Sequence, residues 1–560
     1  MNPVRESRCP HWAWLLVPLV MSSFTRGFWA PDEPRYAEVA REVFAYDSFL
    51  VMHLCGDVYP DKPPLLFWLA GLLGWLTGWS AFGMRLVSVV ATAGSAALIA
   101  TLARRAWGER EAALAPVFYL GFALVAHYGP RLQIDPLLAV LCLASLVLAT
   151  TPDRSAAAAG EPLRVDPRAL LLAGLCTGLA AMAKGPVAWL HVGLPLLLWR
   201  IVPSARQGLP APASRGRRLT AIALAILPVA LWATAAVMQE PGLARDLFYG
   251  QHLERAVDGS RHGGPLWRHL ERVPLQLMPW TPIVIAALFM RDRDPARRRF
   301  LLWAGSLFVF FSIVPSKRDL YLLPIYPAFA LLTAHWMVLR LHAQRTHASD
   351  AQDYHVGSSA AQSLLQGASW VSRAQVGVFI VAGTLLSIAS VWGHWQLDKA
   401  ELRAIALPVL PFGLLLLASG LYAAHVARRK GDWFRPMVIG WTLALTVLAI
   451  TVLPKLDANK SAESLALVVM ERPERPVVVH CIGVRPEGFR FYGSLGRGLP
   501  AAFASELPRK KDRQGADFLA LIRADRWEAT ENKRRKDLEI VYRQFVGSKE
   551  VLLVAVRSGP

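Results

Sequence analysis

Long apolar segments alternate with short polar joints along the first 454 residues of the chain. A helix needs about 20 largely apolar residues to cross the hydrocarbon core of a bilayer, and most of these segments approach that length. The pattern therefore predicts thirteen membrane-spanning helices, near residues 12–29, 83–102, 112–127, 136–150, 168–183, 186–200, 218–238, 273–290, 300–315, 320–339, 374–393, 405–426 and 436–454.

The basic residues concentrate in alternate joints, which indicates how the chain is oriented. Segments 103–110, 206–218, 291–299 and 427–435 are rich in arginine. Joints rich in Lys and Arg stay on the cytoplasmic side, so the intervening joints are predicted to face outward. Segment 63–79 is also apolar enough to span, but counting it would put the arginine clusters outside. We therefore predict that it is an interfacial helix on the outer surface.

The last part of the chain is more polar than the rest. Its runs "RPVVVHCIGV" and "KEVLLVAVRSG" predict short β-strands, and the charged stretch 513–539 predicts a helix. An odd number of spans places this part outside. The fold prediction is an all-α polytopic membrane unit, residues 1–454, with interfacial helices in its first outer loop, 30–82, and a small soluble α/β domain, residues 455–560.

Composition and charge narrow the class of partner. The chain has 560 residues, is 54% hydrophobic and carries a formal net charge of +20. In a soluble protein that charge would favour nucleic acid as the partner. Here the basic residues lie between apolar segments, where orientation and contact with anionic lipids explain them, so we expect membrane lipids and no nucleic acid. The sequence contains no GxxxxGK[ST] or GxGxxG motif for nucleotide phosphates.

Unusual polar residues gather in joints on the predicted outer side. Charges near the hydrocarbon are costly and usually mark a functional site. The first outer loop contributes Asp32, Glu33, Arg35, Tyr36, Tyr59, Asp61 and Lys62, and later joints contribute Arg131, Asp135, Lys184, His252, Lys317, Arg318 and Tyr321. A transporter would instead place polar groups near the midplane on broken or repeated helices, which weighs against transport.

The residue types suggest group transfer from a lipid phosphate. A carboxylate such as Asp32 can take a proton from an acceptor hydroxyl or orient the acceptor. Lysines and arginines, among them Lys62, Lys184 and Lys317, can hold a phosphate and stabilise its charge as it leaves. A donor that is activated by a lipid phosphate needs no nucleotide-binding loop, which agrees with the missing motifs.

The same segments match, in order, the motifs of a known family. The segment "DEPRYAEVAREV" resembles its first acidic motif, "YPDKPPLLFW" its Tyr-x-x-Lys-Pro segment, "RLQIDP" its second acidic motif, "AKGP" its Lys-Gly joint, "QHLERA" its histidine loop and "SKRDLYLLPIYP" its Lys-x-x-x-Tyr-x-x-Pro element. From about residue 12 to about 470 the chain resembles GT-C glycosyltransferases of the protein-mannosyltransferase superfamily (families 39 and 83). It looks most similar to the 4-amino-4-deoxy-L-arabinose transferases that modify lipid A.

The resemblance implies an inverting glycosyltransferase of the bacterial inner membrane, with its active site and C-terminal domain in the periplasm. It would transfer a sugar from a polyprenyl-phosphate donor to a lipid A-like lipid, another glycan or a protein. This chain differs from the usual aminoarabinose transferase motifs at two positions: it has Pro34 where they usually have Thr, and Asp61 where they usually have Glu. These departures leave the sugar and the acceptor open.

The resemblance and the residue chemistry together give the candidate site. The catalytic role maps to Asp32, with Glu33 and Asp135 as further candidates. The residues expected to bind the donor phosphate are Lys62, Arg35, Tyr59, Arg131, Lys184, Lys317 and Tyr321. The resemblance implies that Asp61 and His252 could share a divalent metal, and no other cofactor is expected.

Each candidate also has a structural interpretation. Asp32 and Glu33 could cap a helix that begins near Pro34, and Asp135 could cap the following span. The three lysines could be anchors that reach from span ends to the interface. Two other functions also remain open, namely a flippase for a lipid-linked sugar and a ligase that transfers an oligosaccharide.

Overall fold

The structure is a computed structural model that describes most of the chain. The described residues are 11–155, 162–245, 264–345, 358–396, 400–429, 431–471, 479–494, 501–504, 506–508, 518–547 and 549–556. Helices dominate the first 460 residues, and every apolar segment that was predicted to span contains helix, although the helix in segment 12–29 ends at Phe24 and segment 273–290 is divided between two helices. The sheet structure lies mainly in the last 82 positions, as the change to a polar composition predicts.

The helices of the first outer loop and the early apolar segments follow a short 3₁₀ turn at His11–Leu15. They are α1 (Leu16–Phe24), α2 (Asp32–Ala45), α3 (Leu65–Leu76), α4 (Ala81–Ala106), α5 (Glu109–Gly121), α6 (Ala123–Tyr128), α7 (Ile134–Ala149), α8 (Pro167–Lys184) and α9 (Val187–Ile201). A two-residue hairpin, β1 (His53–Leu54) and β2 (Asp57–Val58), connects α2 to α3.

The later helices complete the membrane unit and lead into the C-terminal region. They are α10 (Pro203–Arg206), α11 (Arg215–Gln239), α12 (Leu243–Arg245), α13 (Arg268–Gln276), α14 (Thr281–Phe289), α15 (Pro295–Ile313), a 3₁₀ helix (Asp319–Ile325), α16 (Tyr326–Arg345), α17 (Ser358–Gln396), α18 (Ala400–Arg428), α19 (Phe434–Val447), a π-helical turn (Leu448–Val452), α20 (Leu453–Lys460) and α21 (Glu463–Met470). The π turn joins α19 directly to α20.

Several of these helices are long enough to cross a bilayer. Six described segments meet that test by length and composition: Ala81–Ala106, Arg215–Gln239, Asp319–Leu341, Trp370–Gln396, Arg403–Arg428 and Phe434–Lys460. The pair α13 and α14, bent by 119°, would make a seventh if it forms one span. Shorter apolar helices occur at Trp12–Phe24, Leu65–Leu76, Ile134–Ala149 and Val187–Ile201. The chain is therefore a multi-pass membrane protein.

The C-terminal region forms a five-stranded mixed sheet. Its elements are β3 (Val479–Ile482), α22 (Glu487–Ser494), β4 (Ala501–Ala504), β5 (Leu519–Arg523), α23 (Ala524–Glu528), α24 (Asn532–Arg535), β6 (Leu538–Val546) and β7 (Lys549–Val556). The strand order is β4-β3-β5-β7-β6. Strand β3 is parallel to β4 and β5, whereas β7 is antiparallel to β5 and β6.

The two strands predicted in this region are present, but the helix predicted over 513–539 is wrong. The described part of that stretch contains β5, which lies in the middle of the sheet, and only two short helices. Residues Leu519–Ile522 are buried, because β5 has neighbours on both edges. A strand of this kind reads as a continuous apolar run without alternation. Because charged residues flank this short apolar run, the whole stretch was interpreted as a charged helix.

The C-terminal region packs directly against α2. The Phe28 ring lies 5.2 Å from the Phe491 ring, and the Phe28 amide donates to the Tyr492 hydroxyl over 2.6 Å. Arg490 forms ion pairs with Glu38 at 3.3 Å and with Glu42 at 3.2 Å. Helix α22 therefore covers one side of α2 and fixes the position of the helix that carries the two adjacent carboxylates.

Candidate active site

Asp32 is the first residue of α2 and lies between two arginines. Its Oδ1 accepts from Arg35 at 2.6 Å, and its Oδ2 accepts from Arg318 at 2.6 Å. Pro31 occupies the N-cap position, and no side chain caps the helix, so a capping hydrogen bond does not account for Asp32. Burial would raise the pKa of Asp32, but the charges of Arg318 and Arg35 outweigh it and lower the pKa below its usual value. Asp32 is thus an anion within a cationic setting.

Glu33 has a different environment, although it is the next residue. Its side chain is 1% exposed, and its Oε2 accepts from Arg26 at 2.6 Å and from the Trp29 amide at 3.0 Å. Arg85 donates to both oxygens, at 2.8 and 3.1 Å, and the Leu132 amide donates to Oε1 at 3.0 Å. A carboxylate with this many donors is held in one orientation. Glu33 therefore joins the first outer loop, α4 and the segment before α7.

Arg85 is the centre of this arrangement. It is fully buried and also donates to the carbonyl oxygens of Ser23, Arg26 and Gly27 at 2.6–3.0 Å. These carbonyls belong to the turn that leads from α1 to α2. One arginine of α4 thus fixes both the backbone before α2 and the carboxylate of Glu33. Sequence reasoning missed Arg85 and Arg26, although an arginine within an apolar span is costly and was a usable signal.

A second group of candidate residues meets where α7, α8 and the 3₁₀ helix come together. Lys184 forms an ion pair with Asp135, and its ammonium lies 4.7 Å from the centre of the Tyr321 ring. Helix α8 ends at Lys184 because Gly185 adopts a φ of 82°, which favours glycine, and Pro186 then precedes α9. The "AKGP" joint therefore sets the direction of the lysine side chain. Asp135 lies in the first turn of α7 and pairs with Lys184 rather than with the helix end.

Tyr36 connects the two groups. Its side chain is buried one turn after Asp32, and burial and then the charge of Asp32 raise its pKa, with a smaller contribution from Asp135. Both carboxylates are thus within electrostatic range of one phenol. Gln133, which sequence reasoning did not single out, is buried beside them, and its side chain contributes to the lowered pKa of Asp32.

Two buried polar atoms near Asp32 have no hydrogen-bond partner among the described residues. They are the Tyr59 hydroxyl and the Nε of Arg35. The Tyr59 ring packs 5.9 Å from Phe67 of α3, which holds the hydroxyl at this depth. An unpaired buried donor is costly, so these atoms are suited to a ligand oxygen that the polypeptide does not supply.

The remaining candidates are placed less centrally. Lys317 is buried and donates to the Val314 carbonyl at 3.0 Å, and it is the neighbouring Arg318 that reaches Asp32. Arg131 lies 5.1 Å over the Trp29 ring, on the Glu33 side of α2. Asp61 and Lys62 are partly exposed in the loop before α3, and Asp61 acts electrostatically on Arg35. His252 lies outside the described residues.

The described residues contain no cluster of three or more His, Cys, Asp or Glu side chains that could hold a metal ion. The predicted pair of metal ligands, Asp61 and His252, is not tested by that finding because the structure does not describe His252. Its metal site stays a prediction.

Comparison with known proteins adds the family. The model of the dolichyl-phosphate-mannose-protein mannosyltransferase family matches residues 61–232. The undecaprenyl phosphate-alpha-4-amino-4-deoxy-L-arabinose arabinosyl transferase 1 of Sodalis glossinidius (strain morsitans) is 30% identical over 454 residues, which cover 78% of this chain and 74% of that protein. The chain belongs to this family of arabinosyl transferases. The corresponding protein of Edwardsiella ictaluri (strain 93-146) is 28% identical over 492 residues, 86% of this chain and 81% of the relative.

A solved structure supports the fold over the whole length. The crystal structure of ArnT from Cupriavidus metallidurans bound to undecaprenyl phosphate gives a TM-score of 0.75 at 21% identity and covers 98% of both chains. Its apo form gives a TM-score of 0.73. The predicted GT-C fold and the predicted enzyme class are confirmed, and the chain is a membrane-embedded glycosyltransferase.

Proposed function

We propose that this enzyme transfers 4-amino-4-deoxy-L-arabinose, or a closely similar sugar, from undecaprenyl phosphate to a lipid acceptor of the lipid A type. The observation that carries the proposal is Asp32, a buried carboxylate between Arg35 and Arg318, next to the pair of Asp135 and Lys184. This arrangement combines a carboxylate with several cations at the ends of apolar helices. The names of the relatives support the donor, and the resemblance of the first-loop motif supports the acceptor class.

We place the reaction on the periplasmic face of the bacterial inner membrane. Each of the thirteen apolar segments contains helix, and the arginine-rich joints alternate with the joints that carry the site, which supports thirteen crossings. Helix α3 would then lie at the outer interface, and the C-terminal region, residues 455–560, would form a periplasmic domain over α2. Exposed Trp75 and Leu76 at the end of α3 suit an interfacial position.

The reaction would be a single displacement with inversion. The acceptor oxygen forms a bond to the anomeric carbon while the bond from that carbon to the donor phosphate oxygen breaks, and the electron pair leaves with the phosphate. If the acceptor is a hydroxyl, its proton passes to Asp32. If the acceptor is itself an anionic phosphate, no proton is removed and Asp32 orients the acceptor or the cations around it.

The donor phosphate would bind to the cations and unpaired donors around Asp32. Arg35, Tyr59, Lys184 and Tyr321 lie close to this carboxylate or to its neighbour Asp135, and Lys62 enters from the loop before α3. Arg318 is 31% exposed on its side chain and therefore has room to turn from Asp32 towards a phosphate. Such an exchange would release Asp32 from one ion pair and raise its pKa when the donor is bound.

Lys317 and Arg131 have weaker support as phosphate ligands, because their side chains face other groups. Glu33 would act as a positioning residue, since its oxygens are already occupied by donors from the protein. Asp61 with His252 remains our proposal for a divalent metal site. A metal there would add positive charge near the donor phosphate.

The test is transfer of labelled sugar from the lipid donor in membranes that contain the protein. Asp32→Asn should lower kcat by about 10²–10⁴, the usual contribution of a general base. Asp47→Asn is the matched control, because Asp47 is exposed and has a φ of 50°, which asparagine tolerates. A folded Asp32→Asn protein with full activity would contradict the assignment. Movement of the donor between leaflets without product would favour a flippase, and a polymeric product would favour a ligase.

A further inference from the structure

A cavity lies near the turn that leads from α1 to α2, where Arg26 and Trp29 line it. It has a volume of about 210 Å³ and is bounded by α1, α5, α6, α18, α19 and the π turn. Its walls are apolar, and they include Leu19, Phe412 and Leu445. Among the described residues, Asp32 and the pair of Asp135 and Lys184 do not line it. The cavity is therefore distinct from the group around Asp32, and of the predicted phosphate ligands only Arg131, among the described residues, lines it.

The end of this cavity near α2 is cationic. Arg26 and Arg131 line it there, together with His127 and Trp29, and both arginines lie beyond the outer end of a helix. The lining also includes Leu15, in the 3₁₀ turn before α1. The cavity thus combines a cationic end near α2 with apolar walls from α1, α18 and α19, an arrangement that suits a charged head group followed by a lipid chain.

Arg26, at the cationic end, is not fully hydrogen-bonded by the described residues. Arg26 is 6% exposed, and its Nη1 pairs with Glu33, while its Nη2 has no hydrogen-bond partner among the described residues. Glu33 also pairs with Arg85, so one carboxylate serves two guanidinium groups, and Arg131 adds a third positive charge nearby. Two further carboxylates add negative charge to this cluster: Asp457, whose Oδ1 accepts from the Gly27 amide and the Trp29 indole, and Glu463, which lies beside Gly27.

The unpaired Nη2 of Arg26 favours a further acceptor in the cavity, since a buried donor without a hydrogen bond is costly. Phosphate is the group that arginine binds most effectively, through parallel N–H···O bonds. We propose that this cavity is a second lipid site, in which Arg26 and Arg131 bind the phosphate of an anionic lipid and the apolar walls take the first part of one of its chains. The volume suits such a head and chain segment, but not a whole lipid.

The occupant could be the acceptor lipid or a phospholipid of the bilayer, and the phosphate head group is common to both. In either case the phosphate would lie beside Glu33, one residue from Asp32. A bound acceptor would thereby approach the active site from the side of α1 and α19, whereas the donor phosphate would bind among Arg35, Lys184 and Tyr321. Only this assignment of the acceptor depends on the proposed function.

The binding experiment uses the purified full-length protein, stripped of lipid in detergent, and native mass spectrometry. Dioleoyl phosphatidic acid is the probe, and dioleoylglycerol has the same chains without the phosphate. We expect the wild-type protein to bind phosphatidic acid at least tenfold more tightly than dioleoylglycerol. Leu445→Trp, which fills the cavity, should weaken phosphatidic acid binding at least tenfold. Leu443→Trp is the matched control on α19, since Leu443 is 49% exposed and does not line the cavity.

Leu19→Phe fills the cavity from α1 and serves if Leu445→Trp does not fold. Equal binding of the two lipids, or undiminished phosphatidic acid binding in a folded cavity-filling variant, would refute the proposal. Displacement of phosphatidic acid by millimolar inorganic phosphate would support the contact between the phosphate head group and the arginines.

The kinetics of the cavity-filling variant distinguish the two possible occupants. A raised KM for the acceptor, with an unchanged KM for the donor, would identify the acceptor as the occupant. Unchanged KM values with lost phosphatidic acid binding would identify a bilayer phospholipid. Because the binding measurement involves no sugar transfer, it is independent of the proposed reaction.

Discussion

Replacing Glu33 by glutamine tests the proposal that Glu33 has a structural role and Asp32 a catalytic one. The change preserves the shape of the side chain but removes the negative charge that pairs with Arg26 and Arg85. It also turns one acceptor atom into an NH₂ group that faces N–H donors. Removing one partner of a fully buried ion pair costs about 3–5 kcal/mol. We expect Glu33→Gln to lose stability of that order, because none of these groups can reach water without opening the turn before α2.

The matched substitution is Asp32→Asn, which removes the same charge one residue earlier. The side chains of Arg35 and Arg318 are partly exposed and can turn towards water, so the cost should be about 1 kcal/mol or less. Unfolding in detergent, followed by the fluorescence of the 20 tryptophans, measures both variants. The reasoning predicts a large fall in unfolding temperature for Glu33→Gln and a small one for Asp32→Asn, with the larger loss of kcat in Asp32→Asn. Equal unfolding temperatures for wild type and Glu33→Gln would refute it.

The pH dependence gives an independent check on the same carboxylate. Burial would raise the pKa of Glu33, but the charges of Arg26 and Arg85 lower it well below the usual range. A lowered pKa in the folded state stabilises the protein at any pH above the unfolded value, which is about 4.3 for Glu. The stability difference between wild type and Glu33→Gln should therefore be constant from pH 8 to about 5. It should shrink as the pH falls below about 4.

Other contacts lead to expectations for single substitutions. Burial, and then the charge of the neighbouring Glu38, raise the pKa of Glu42 to about 7. The folded state therefore binds a proton on Glu42 more tightly than the unfolded state does, and the free energy of unfolding should rise from pH 8 to pH 5. Glu42→Gln should flatten that rise in a series of thermal unfolding curves. A Cβ on Gly27 would lie 2.5 Å from Glu463 Oε2 and 2.8 Å from the Tyr492 hydroxyl. Gly27→Ala should therefore lower the stability by about 1–3 kcal/mol and make the C-terminal region more sensitive to limited proteolysis. Gly216→Ala is the control, because a Cβ there has no atom within 4 Å and should change neither property. Lys184→Met should leave Asp135 without its cation and raise the KM for the lipid donor at least tenfold in initial-rate measurements; an unchanged donor KM would remove Lys184 from the phosphate site.

The sequence located the helices well because apolar length and basic joints respond directly to the bilayer. Every predicted span contains helix, and a helix, α3, is present where the interfacial helix was predicted. The buried strand β5 was missed because its apolar run is short and lies among charged residues. Central strands are buried on both faces and lack the alternation of apolar and polar residues that identifies a half-buried strand. Their position in the sheet is therefore evident only from the strands that pair with them.

The candidate site was predicted as a set of residues but not as a set of contacts. Sequence order could not choose between Lys317 and Arg318, because the path of the chain into the 3₁₀ helix decides which side chain reaches Asp32. It also could not assign Glu33, whose partner Arg85 is 52 positions away. The choice of Arg318 over Lys317 and the assignment of Glu33 both depend on tertiary contacts. For Glu33, the one local signal in the sequence was Arg85, a single arginine within an apolar span.

The two adjacent carboxylates belong to different environments because α2 turns by about 100° per residue. Asp32 faces Arg35 and Arg318, whose side chains keep some access to solvent, which leaves room for the proposed exchange of partners with a phosphate. Glu33 faces Arg26 and Arg85, which are buried and have no such freedom. The ion pairs of Glu33 with Arg26 and Arg85 fix the start of α2. The more exposed ion pairs of Asp32 lie one residue earlier on the same turn. Precise placement of a catalytic carboxylate requires a neighbour that does not move, and Glu33 meets that requirement through contacts that leave it little capacity for chemistry of its own.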